Sequence, residues 1–145
     1  MADDLPDRTG RQIAALGGLV ERAANRALPA KAHPGNTDNG QGRYLTSTGG
    51  NQFWVGLWYP AWGAHGQSPI WAATEPAATT RETFRRSLAK ATDLPAAVYG
   101  KWVGVPLYLK PGEEALDAEE RLEADIVAFA QALDTIGIMT TVEAE

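Results

Sequence analysis

Residues 51–76 read NQFWVGLWYPAWGAHGQSPIWAATEP and hold four of the five tryptophans of a 145-residue chain. From Gln52 to Tyr59 nearly every position is apolar. Side chains alternate across a strand, so Phe53, Val55, Leu57 and Tyr59 take one face while Trp54, Gly56 and Trp58 take the other. A strand that is apolar on both faces suits the interior of a sheet covered on both sides. Pro60 and Gly63 end it, Ser68-Pro69 opens a second strand over Ile70–Thr74, and Pro76 stops that one.

Working outward, Thr48-Gly49-Gly50-Asn51 supplies a turn, because glycine accepts positive φ. Arg43–Thr48 before it reads as a short strand. Upstream, Pro29–Gly42 contains two prolines and three glycines with almost nothing to bury, which predicts a flexible loop. A helix is expected over Thr9–Leu28, with Thr9 and Gln12 at capping-box spacing and Ile13, Leu16, Val20, Ala24 and Ala27 on one stripe. Gly17 and Gly18 weaken that helix or allow close approach to a neighbour. Residues 1–8 are expected to fray.

Downstream, Thr79 and Glu82 form a second capping box before a helix over Thr80–Ala91, with Phe84 and Leu88 facing inward. Val98–Leu109 reads as a long strand or a bent hairpin, since Gly100, Gly104 and Pro106 mark a bulge or an edge. The last helix spans Arg121–Ile136, where Leu122, Ile126, Phe129, Leu133 and Ile136 keep four-three spacing and Gly137 is the C-cap. Strands joined by short turns pair antiparallel. The expectation over 1–145 is therefore a single α+β domain of two layers, an antiparallel Trp-rich sheet packed against about three helices.

Composition narrows the chemistry. The chain has no cysteine, which excludes disulfides, thiolate nucleophiles and cysteine-ligated metals. No apolar run is long enough to span a membrane, and the acidic start MADDLPDRTG lacks the basic flank of a signal peptide. The expected location is cytoplasmic. The net charge of −5 is uneven: residues 111–145 carry ten acidic groups and one basic. Glu113, Glu114, Asp117, Glu119 and Glu120 gather at the start of the last helix, where the helix dipole favours negative charge.

Catalytic constellations are weak. The two histidines, His33 and His65, sit in Gly-rich segments without HExxH or HxH spacing, so neither a metal nor another cofactor is expected. Ser68 lies near His65, but no GxSxG elbow surrounds it. Glu75 is the single carboxylate of the Trp-rich window, and with His65 it defines an alternative reading as a small-ligand site or hydrolase. A further alternative is nucleic-acid binding through Arg81, Arg85, Arg86 and Lys90, a basic helix able to touch phosphates. Against it, Glu82 has the spacing to pair with Arg86.

The tryptophans carry the leading expectation. Trp54, Trp58, Trp71 and Trp102 fall on strands, and aligned strands would bring them to one face. The helices have the other face to cover, so the indole face is predicted to be an exposed aromatic patch with the loop Trp62 to Gly66, His65 included, at its rim, a surface for a protein partner or a second copy.

The run Phe53-Trp54-Val55-Gly56-Leu57, with Trp62, Gly66 and Ser68-Pro69-Ile70-Trp71, resembles an accessory region of bacterial proteins that carry PD-(D/E)XK-type nucleases. The catalytic Asp/Glu-x-Lys triplet of those nucleases is missing: the residues two before the four lysines are Pro29, Leu88, Tyr99 and Tyr108. The resemblance thus implies a non-enzymatic recognition or regulatory module in a bacterial defence or restriction setting.

Overall fold

The computed structural model describes residues 5–27, 33–34, 40–61, 68–108 and 114–136. The elements run α1 (Leu5–Ala27), β1 (His33–Pro34), β2 (Gly40–Thr46), β3 (Gln52–Trp58), β4 (Ile70–Thr74), a 3-10 turn (Ala78–Thr80), α2 (Arg81–Thr92), β5 (Ala97–Tyr99), β6 (Trp102–Pro106) and α3 (Ala115–Ile136). The strands form one sheet in the order β1-β2-β3-β4-β6-β5, antiparallel throughout. The fold is the expected α+β arrangement.

Face alternation in β3 holds as the sequence predicts. Phe53, Val55 and Leu57 join Leu45, Ile70, Ala72, Val103 and Val105 in a core completed by all three long helices: Val20 and Ala24 of α1, Phe84 and Leu88 of α2, and Leu122, Ile126, Phe129 and Leu133 of α3. The Phe53 and Phe129 rings meet at 5.2 Å. All three helices therefore contribute to one side of the sheet. Gly17 lies where α1 meets β2: a Cβ there would stand 2.6 Å from Oε1 of exposed Gln41, the end of a flexible side chain that can swing aside.

Several boundaries differ from expectation. α1 begins at Leu5, so residues 5–8 belong to the helix and not to a frayed end; Pro6 is tolerated because the first turn has no intrahelical partner for its missing N–H. Within the expected flexible loop, His33 and Pro34 pair with Tyr44 and Arg43, and Gly40 and Gly42 lie in β2 opposite Trp58 and Gly56. Ladder pairing with β3 outweighs the low strand propensity of glycine. The proposed capping box of α2 does not form. The N-cap is Thr80, one residue after the expected Thr79, and it makes no side-chain cap; its hydroxyl donates to Ala77 O at 3.1 Å, and Glu82 is taken by Arg85. α3 starts at Ala115, six residues before Arg121. Gly137, the expected cap, lies outside the described residues.

Polar contacts fix the helices to one another and to the sheet. Glu119 accepts from Arg22 Nε and Arg26 Nη1, each at 2.7 Å, and Arg26 Nε lies 3.0 Å from Glu123. The hydrogen bonds from Arg26 and Arg22 hold the Glu119 carboxyl below its usual range. Part of the acidic cluster is thus used internally, against α1. At the other end of α3, Asp134 gathers the β2–β3 turn. It accepts from Ser47 Oγ at 2.5 Å, Asn51 Nδ2 at 2.8 Å, the Gly49 N–H at 3.1 Å and Thr48 Oγ1 at 3.3 Å. Burial pushes this carboxyl up, but the four donors outweigh it and the net shift is downward. Gly50 closes the turn at φ 89°, in the left-handed region.

Candidate binding face

On the side of the sheet away from α1, α2 and α3, register brings small residues into line. Gly42 pairs with Gly56, Gly56 with Trp71, Trp54 with Ala73, Ala73 with Gly104 and Gly104 with Ala97. This gives a floor with few projecting side chains. Trp54 lies along it: a Cβ on Gly42 or Gly56 would come within 2.6 or 2.7 Å of Trp54 Cζ2. Neither position could carry a side chain without displacing the indole.

Trp58 is the hub of the layer. Its ring meets Tyr99 at 5.6 Å, Trp71 at 6.0 Å, Trp54 at 6.3 Å and Trp102 at 6.4 Å, each edge to face. This geometry sets the positive edge of one ring against the negative face of the next, and each such pair contributes about 0.5–1.5 kcal/mol beyond its buried area. The Trp71 indole N–H donates to Ser68 O at 2.6 Å, so its polar end is satisfied. Ala61, in a helical turn at 59–61, is fully buried against the same cluster.

The expected exposed patch is not what these residues form. Trp71, Trp54 and Trp58 are only 1%, 6% and 9% exposed. The indoles bury one another edge to face around Trp58, with Trp54 laid against the glycine backbone, and Ala61 of the 59–61 helical turn packs among them. What remains open is the margin. Tyr99 is 40% exposed, and Trp102 and Tyr44 are half-buried. Sequence reasoning passed over Tyr99; its place opposite Trp102 in the register, past Gly100, is the signal that finds it.

Of the other candidate residues, Trp62 and His65 lie outside the described residues. Glu75 follows β4 and is half-buried. Ser68 is unsuited to attack: it is buried, its hydroxyl donates to Leu107 O at 2.7 Å, and its oxygen accepts the Ile70 N–H at 3.2 Å. On α2, Arg85 binds Glu82 through Nε and Nη2 with a shortest contact of 2.7 Å, and Arg86 lies 3.6 Å from the same carboxylate. Two of the four proposed phosphate contacts are thereby engaged within the helix. Lys90 is exposed and Arg81 half-buried. Among the described residues no group of three His, Asp or Glu side chains could hold a metal ion, and no helix is long and apolar enough to cross a membrane.

No family model matches the chain, and no curated protein or solved structure matches it.

Proposed function

We propose that the chain is a non-enzymatic recognition module for another protein, docking through the margin of the aromatic face at the β5–β6 hairpin. The observation that carries the reading is Tyr99. It is a large aromatic held edge-on by the buried hub Trp58, yet it keeps 40% of its surface in solvent next to half-buried Trp102. A rigid aromatic presented from a fixed base loses little conformational entropy on binding, and Tyr and Trp dominate binding energy at protein interfaces. The buried indoles act as the anchor of the site, with its contact surface at the hairpin. The resemblance of the Phe53–Trp71 region suggests bacterial defence or restriction proteins as the setting, with this chain as an accessory part.

The test is a photo-crosslinking residue placed at position 99, with a control at exposed Gln131 on α3. Adducts with a discrete partner should form from position 99 and be lost when Trp102 is changed to Ser. Equal adducts from both positions, or none from position 99, would refute the reading.

A further inference from the structure

We infer that the open edge of β5 takes an extended segment of the partner in which apolar and acidic residues alternate. This rests on the reading of Tyr99 and Trp102 as docking groups and gives that site a partner of defined chemistry.

The two edges of the sheet differ. β1 carries Pro34, which has no N–H to offer a further strand. β5 has no proline and, among the described residues, pairs with β6 alone, through Ala97 with Gly104, Val98 with Val103 and Tyr99 with Trp102. Gly100 has φ 62° and Lys101 is not in the positive-φ region, the pattern of a type II′ turn. In such a two-residue hairpin the flanking pair, Tyr99 and Trp102, exchanges both ladder bonds. The N–H and C=O of the next residue, Val98, therefore point away from β6 to the open edge. Arg85 Nη1 lies 3.4 Å from Ala96 O, which occupies one acceptor of that edge and brings α2 alongside it.

An added strand would continue the alternation of β5. Ala97 packs with the indole layer and Val98 with the helix-side core. Incoming residues of one parity would lie beside Tyr99 and Trp102, where apolar groups suit them. Those of the other parity would lie on the side of α2. Residues 81–108 carry five basic and two acidic groups, in a chain whose net charge is −5. Lys90 and Lys101 are exposed. Carboxylates on the helix-side parity would complement that field. A second copy pairing edge to edge would set the same cations opposite one another, which disfavours self-association here. Main-chain pairing supplies affinity and the alternating side chains supply choice, as in strand addition generally.

The test titrates the isotope-labelled full chain with a short capped peptide alternating valine and glutamate. Controls are its valine–lysine counterpart and a version with two central prolines. The valine–glutamate peptide should shift the Val98 and Gly100 amides together with the Trp102 indole, and bind about tenfold more tightly than the lysine peptide. The proline version should not bind. Lys90→Glu with Lys101→Glu should weaken binding about tenfold while the melting temperature stays put. An unmoved Val98 amide, equal binding of the proline peptide, or indifference to peptide charge would each overturn the inference. If the Trp102 indole still moves in those cases, the aromatic docking reading survives. Loss of crosslinking from position 99 would instead remove that reading.

Discussion

On the helix side, β3 gives Phe53, Val55 and Leu57 to a core completed by side chains from α1, α2 and α3. On the other side the same strand gives Trp54 and Trp58 to a layer one side chain deep, lying on glycine and alanine. The first face is buried by bringing distant elements over it. The second is buried by packing its own largest side chains edge to face on one another. The difference teaches that an apolar strand face without a helical cover need not be a binding surface; the small residues beneath it decide.

The comparison breaks first if the hub is not core. Trp58→Ala should cost about 3–5 kcal/mol, the same range as Phe129→Ala under the helices, from lost burial and the cavity left behind. Denaturant melts of the two variants measure it, and a Trp58 cost below about 1 kcal/mol would restore the exposed-patch reading. Next in size is the floor. Gly42→Val puts atoms where Trp54 lies and should cost about 1–3 kcal/mol, with an altered near-ultraviolet tryptophan signal. A neutral outcome would mean that the indole layer is loosely packed.

On the helix side, Asp134→Asn should cost about 1–2 kcal/mol, since it removes a charged acceptor shared by four donors. The sign of its pH dependence follows from the lowered pKa of Asp134. The stabilisation is fully present above the carboxyl's unfolded value, near 4, and is lost as pH falls through the lower folded value. Wild-type and Asp134→Asn melting curves should therefore converge towards acid, and parallel curves would disprove the assignment. The smallest effect is at the margin. Tyr99→Ser should cost about 1 kcal/mol, because the edge contact with Trp58 is lost while 40% of the residue is already in water. A cost several times larger would make Tyr99 part of the layer and not its contact surface.

Much of the fold was legible because periodicity is written in single residues. The alternation of Phe53, Val55 and Leu57 against Trp54 and Trp58 gave both faces, and Leu122, Ile126, Phe129 and Leu133 gave α3. What could not be read depended on partners across the chain. Gly40 and Gly42 look like loop residues until Trp54 is known to lie over them. Glu82 has capping spacing, but Arg85 competes for it. The state of the indole face turned on the register that aligns Gly42, Gly56, Ala73 and Gly104, and no local pattern fixes register between strands.

Asp134 has a consequence for how the chain reaches this structure. It closes a contact with Ser47 across 87 positions, and Arg22 meets Glu119 across 97. The first helix and first hairpin are thus completed by the last helix. Such long-range closure slows folding relative to local contacts. During synthesis the early elements would emerge with their helix-side apolar face open until α3 arrives, an interval in which chaperone binding or aggregation competes with completion.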